Sequence, residues 1–137
     1  GLISQKGAIL NLSSLAGDLP IPDFAVYAAT KSYVSSFSEA LRLELRAEGV
    51  RVLAVCPGPI KTGFGDTARR DTTTKLPVKE AFYVPAPQVV RDSLQALTND
   101  RPRVYPGLKV AAVAGLLSLL PLGIVRLIMS QRPRKSD

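Results

Sequence analysis

The sequence contains no histidine, no tryptophan and a single cysteine. Without histidine there is no Ser-His-Asp triad and the commonest metal ligand is missing, so we expect no zinc site. One cysteine cannot form a disulfide within the chain. Cys56 ends an apolar run just before Pro57, where a small buried side chain is expected rather than a nucleophile. Neither a histidine-based triad nor an internal disulfide is therefore available to this chain.

Composition indicates a globular chain with a basic balance. The 137 residues are 46% hydrophobic and 21% charged, which is typical of one folding unit or part of one. Eighteen Lys and Arg against eleven Asp and Glu give a net charge of +7. This favours a phosphate-bearing cofactor or an acidic lipid surface. Nucleic acid is the weakest alternative, because the chain has neither an aromatic platform nor a concentrated basic face.

The first third of the chain predicts a strand, a helix and a second strand. Residues 8–12 are apolar and end in a serine pair, and residues 23–48 have a helical period. The apolar stripe of this helix is predicted at Val34, Phe37, Leu41 and Leu45. Residues 50–55 then form an apolar run that stops at Pro57. This order predicts a βαβ crossover in a parallel sheet, with both strands ending at the edge where α/β sheets bind ligands.

The remaining segments are less regular. Residues 62–84 are polar and predict a loop or lid, residues 87–97 predict a helix, and residues 103–107 predict a short strand. Residues 110–125 carry no charge, but sixteen residues in a helix rise only about 24 Å, short of a hydrocarbon core. We rank this segment first as a core, dimer or lid helix, second as an interfacial membrane contact, and third as a spanning helix.

Three residues carry the chemical interpretation. Tyr27 lies four residues before Lys31, so both share one helical face, and Ser14 follows the first predicted strand. A phenol beside a cation can exchange a proton, and a serine hydroxyl can donate to a carbonyl oxygen that gains charge. Singly, such residues are usually turn formers or surface residues. Together, in this strand and helix order, they predict a ketone reductase or an alcohol dehydrogenase.

These residues resemble the active-site half of the short-chain dehydrogenase/reductase family. The match runs in motif detail from about Gly7 to Thr62. The resemblance implies an α/β fold with a Rossmann-like doubly wound parallel sheet, of which this chain would be the C-terminal portion without the N-terminal strands. It also implies that Tyr27 is the general acid/base, that Lys31 favours the phenolate and bonds the nicotinamide ribose, and that Ser14 orients the substrate.

The resemblance further implies a nicotinamide cofactor, NAD or NADP, with the choice left open. Besides Tyr27 and Lys31, its contacts are expected at Pro57, Gly58, Ile60 and Thr62. The family's glycine-rich phosphate loop, adenosine-binding residue and catalytic asparagine do not occur in this sequence, and residues 58–65 have the wrong glycine spacing. We therefore expect the chain to begin inside a larger domain and to be inactive alone.

The leading hypothesis is an NAD(P)-dependent oxidoreductase that interconverts a carbonyl and a secondary alcohol. Residues 1–107 would form its reductase part, and residues 108–137 an apolar helix with a basic tail. The expected partners are a hydrophobic small-molecule substrate and further copies of the chain, in the cytoplasm. The alternative is a non-catalytic, membrane-associated scaffold or regulator with a reductase-like fold, which contacts the membrane through the C-terminal segment.

Overall fold

The computed structural model describes residue 1 and residues 6–60 and 82–131. Most of the predicted lid, Thr62 included, and the end of the basic tail lie outside the described residues. The strands are β1 (Ala8–Leu12), β2 (Arg51–Val55) and β3 (Arg103–Val104). The helices are α1 (Ala25–Glu44), α2 (Ala86–Thr98), α3 (Leu108–Leu119) and α4 (Leu122–Ser130), and a 3₁₀ turn covers Leu15–Asp18.

The three described strands form one parallel sheet in the order β1-β2-β3. Leu12 lies opposite Val55, and Val55 lies opposite Val104. Since the strands are parallel, their carboxyl ends meet at one edge, and the residues after β1 and β2 lie there together. The predicted βαβ unit and its Rossmann-like parallel sheet are confirmed.

Helices cover both faces of β2, which explains its nearly continuous burial. On one face, Leu53 and Val55 join a core that includes Val89 of α2 and Val110 of α3. On the other face, the Cys56 sulfur lies 3.7 Å from the hydroxyl of Ser35 on α1. The segment that begins at Pro57 therefore follows a strand that is packed from both sides.

Helix α1 contacts the sheet through small side chains. Its buried residues are Ala28, Ser35 and Ser38, which share one face. The predicted apolar stripe was wrong at Phe37, which is 46% exposed and stacks on Tyr33 with ring centroids 5.9 Å apart. Small residues occupy the side of α1 that faces the sheet, because they let the helix backbone come close enough to the sheet for direct hydrogen bonds.

The uncharged segment 110–125 contributes to two helices instead of one. Helix α3 ends at Leu119, Pro121 caps α4, and the two axes are bent by 117°. Proline suits this position because its fixed φ is compatible with the start of α4, whereas α3 could not continue through a proline. Within the described residues, no single helix is long and apolar enough to cross a membrane; α3 and α4 reach that length and apolarity only as a bent pair.

Candidate active site

Tyr27 and Lys31 lie one turn apart near the start of α1. The Lys31 ammonium is 5.8 Å from the centre of the Tyr27 ring, and both residues are half-buried. This distance is within the range of a cation–π contact. The i, i+4 spacing in the sequence is what brings the two side chains together.

Lys31 also reaches the end of β1. Its Nζ donates a hydrogen bond of 3.0 Å to the carbonyl oxygen of Leu12. An ammonium group has three N–H donors, so within the described part of the chain two remain for a ligand's hydroxyl groups. The donor chemistry of Lys31 therefore fits the ribose of a nicotinamide cofactor.

Ser14 begins the 3₁₀ turn that follows β1. Its backbone is extended, and its Oγ accepts a hydrogen bond of 3.1 Å from the amide of Ala16. This bond uses a lone pair of the oxygen and leaves the hydroxyl hydrogen able to donate. Ser14 is thus held by its own turn and keeps a hydroxyl hydrogen that could polarise a carbonyl.

Gly17 lets this turn rest directly on α1. A Cβ at Gly17 would lie 2.8 Å from the carbonyl carbon of Lys31 and 2.8 Å from the amide nitrogen of Ser32. Both neighbours are backbone atoms, which cannot move aside as a flexible side chain could. The absence of a side chain at Gly17 therefore sets the distance between the Ser14 turn and the helix that carries Lys31.

A pair of buried serines, missed in the sequence, fixes α1 against the sheet. The Ser13 hydroxyl lies 2.7 Å from the Lys31 carbonyl oxygen, to which it donates, and 2.7 Å from the Ser35 hydroxyl. Ser35 in turn contacts Cys56, and burial raises the pKa of the Cys56 thiol. The only sequence signal was positional, since Ser13 precedes Ser14 and Ser35 lies one turn after Lys31.

The segment after β2 reaches the same edge of the sheet. The Pro57 carbonyl accepts a hydrogen bond of 3.0 Å from the amide of Leu15, next to Ser14. Gly58 faces α3, because a Cβ there would lie 2.8 Å from a methyl group of Val110. Ile60 forms a parallel bridge with Val84. Pro57 is thus brought directly beside the Ser14 turn, whereas Gly58 and Ile60 contact elements farther along the chain.

A polar network ties the far end of the turn to β3 and α1. The Tyr105 hydroxyl donates to Asp18 at 2.7 Å, and Arg103 lies 3.2 Å from Asp18 and 3.4 Å from Glu39. Burial is the main cause that raises the pKa of Tyr105 to about 12; Arg103 opposes the rise and Asp18 adds to it. Sequence reasoning missed this network because its members are distant in the chain.

Known proteins share both the sequence pattern and the fold. Over 122 residues the chain is 36% identical to the uncharacterized oxidoreductase YbbO of Escherichia coli K12, covering 85% of this chain and 45% of YbbO. Over 100 residues it is 40% identical to the very-long-chain 3-oxoacyl-CoA reductase of Homo sapiens, covering 72% of this chain and 31% of that protein.

A solved short-chain dehydrogenase from Sphingobium yanoikuyae, in complex with NADPH, matches 99% of this chain and 50% of its own, with a TM-score of 0.68 and 28% identity. This chain thus spans half or less of the length of these three proteins. The sequence profile of the family described as short chain dehydrogenase matches residues 2–73, more than half of the chain. The chain therefore belongs to the short chain dehydrogenase family.

Proposed function

We propose that the protein is an NAD(P)-dependent oxidoreductase that interconverts a carbonyl and a secondary alcohol. The observation that carries this proposal is the position of the Lys31 ammonium, 5.8 Å from the Tyr27 ring and hydrogen-bonded to the end of β1. The resemblance of the site to those of reductases, and the NADPH bound to the Sphingobium protein, support a nicotinamide cofactor.

Each of the three residues has a distinct task in this proposal. When bound, the cofactor supplies or accepts the hydride at the substrate carbon. Tyr27 gives its phenolic proton to the carbonyl oxygen during reduction and takes it back during oxidation. Lys31 stabilises the phenolate that remains, and its two other N–H donors are available to the ribose. Ser14 donates a hydrogen bond to the substrate oxygen, which gains negative charge in the transition state.

The cofactor would lie across the carboxyl edge of the sheet, where ligands of open α/β sheets bind. Besides Tyr27 and Lys31, we assign its contacts to the segment that follows β2, at Pro57, Gly58, Ile60 and Thr62. The hydrogen bond from Leu15 to Pro57 supports this assignment for the start of the segment, because it brings that backbone beside Ser14. Thr62 lies outside the described residues, so its place in the site rests on the sequence pattern.

We infer that the substrate is hydrophobic. The support is the apolar composition of α3, which begins beside Gly58, and the substrate of the human relative, which is a reductase of very-long-chain 3-oxoacyl-CoA. We further infer that residues 1–107 form the C-terminal part of the reductase domain, with residues 62–84 assigned as its lid from the sequence pattern, and that residues 108–137 supply an apolar helical segment and a basic tail.

A pair of phenol-to-phenyl substitutions tests the proposal in the full-length protein. Tyr27→Phe removes the proton donor and keeps the ring, so turnover should fall at least about a hundredfold while cofactor binding stays largely intact. Tyr33→Phe is the matched control, because Tyr33 lies on the same helix and is 68% exposed. The proposal fails if Tyr27→Phe keeps its turnover, or if both variants lose turnover equally.

A further inference from the structure

Helices α3 and α4 carry two apolar surfaces, of which the fold uses one. Val110 and Ala114 of α3, and Val125 and Met129 of α4, are buried at i, i+4 spacing. The opposite sides are also apolar. Their exposed large side chains, named here the outer apolar surface, are Leu116, Leu119, Leu122, Ile124, Leu127 and Ile128. A helix that is apolar all round normally buries both sides, so this surface indicates a partner.

The shape of the helix pair suits a flat partner. Helix α3 has 12 residues, and a helix of this length rises about 18 Å, well short of a hydrocarbon core of about 30 Å. The bend of 117° at Pro121 turns α4 away from the line of α3. Two short helices at such an angle can lie in the plane of an interface, each with its outer side chains in the headgroup and acyl boundary.

The charge of this region identifies the chemistry of the partner. Residues 108–137 contain five Lys and Arg and one Asp. Arg126 is exposed on α4 among the outer leucines, and Arg132, Arg134 and Lys135 follow in the sequence. Apolar side chains combined with cations of one sign match an anionic lipid surface. A second copy of the chain would instead bring like charges together, which disfavours it as the occupant.

We propose that the outer apolar surface docks onto a membrane containing anionic lipids, with α3 and α4 lying in its plane. The leucines and isoleucines enter the boundary between headgroups and acyl chains, and Arg126 pairs with lipid phosphates and carboxylates. Docking does not depend on the proposed catalytic function.

Vesicle binding of the full-length protein tests this proposal. Phosphatidylcholine vesicles with and without phosphatidylserine are compared by flotation, first at low salt and then at high salt. We expect binding to the anionic vesicles alone, and its loss at high salt. Equal binding to both kinds of vesicle, or binding to neither, would overturn the proposal.

Substitutions locate the contact. Leu119→Glu combined with Leu127→Glu should weaken binding at least about tenfold, and Arg126→Glu at least about fivefold. Val90→Glu on α2 is the matched control, since Val90 is also exposed and lies outside the surface. Circular dichroism checks that every variant is folded. Unchanged vesicle binding of the double variant contradicts the proposal. The proposal also fails if the protein forms a homodimer in the absence of lipid and the double variant is monomeric, because a second copy would then occupy the surface.

Discussion

Gly17 shows how a single atom can control the distance between two functional groups. Its missing side chain lets the turn that begins at Ser14 touch the backbone of α1 at Lys31. Neither contact atom belongs to a flexible side chain, so a larger residue must push the turn and the helix apart. The residue thus affects the site without contacting a ligand itself.

Gly17→Ala should therefore lower the free energy of unfolding by about 1–3 kcal/mol, as for overpacking in a close-packed interior. Urea denaturation followed by circular dichroism measures the change. Gly115→Ala in α3 is the control: a Cβ there meets no atom within 4 Å, and alanine should stabilise the helix by up to about 1 kcal/mol. If the two substitutions change the free energy of unfolding equally, glycine is not required at position 17 by the backbone contact with α1.

Among the elements, β3 and the 3₁₀ turn are joined by polar contacts. Tyr105, which follows β3, donates to Asp18 at the end of the turn, and Arg103 on β3 contacts the same carboxylate. The phenol must be protonated to donate this hydrogen bond. The connection between the turn and β3 is therefore sensitive to high pH.

The pKa of Tyr105 is raised to about 12 in the folded chain, from an ordinary value near 10. A raised pKa means that its stabilisation is complete below about pH 10 and is lost as pH rises towards 12. We expect the free energy of unfolding to fall across this window more steeply in the native protein than in Tyr105→Phe. Urea denaturation at a series of pH values measures the free energy of unfolding of both proteins. If it falls equally in both between pH 10 and 12, Tyr105 is not the group that causes the loss.

How far the sequence predicts each element depends on the range of its interactions. The bounds of β1 and the central part of α1 follow from local periodicity. Tyr27 and Lys31 contact each other because they are one helical turn apart. The bond between Ser13 and Ser35 joins residues 22 positions apart, and that between Tyr105 and Asp18 joins residues 87 positions apart. No local pattern encodes such partners, and for the same reason the buried face of α1 was assigned to larger side chains.

At the scale of the whole molecule, the described site is one-sided. It contains a phenol, a cation and a hydroxyl group, but the sequence has no G-x-G-x-x-G loop of the kind that holds a dinucleotide pyrophosphate. Within the described residues β1 pairs only with β2, and Leu12 at its end is 57% exposed. The chain is also half or less of the length of the three proteins compared with it.

We therefore expect the 137-residue chain, produced by itself, to bind NADPH weakly and to show no measurable reduction of ketones. Fluorescence titration of NADPH measures the first quantity, and the loss of NADPH absorbance in the presence of a ketone measures the second. The full-length protein is the positive control. Turnover of the 137-residue chain at the full-length rate would refute this expectation.

The contact between Gly58 and Val110 has a consequence for divergence among homologous proteins. A methyl group of Val110 lies where a side chain at position 58 would start. The two positions cannot accept large residues independently, so they should vary together: glycine at 58 permits a branched residue at 110, and any side chain at 58 requires a smaller one at 110. Changes in α3 among homologous proteins should therefore be constrained at its first turn and freer beyond it.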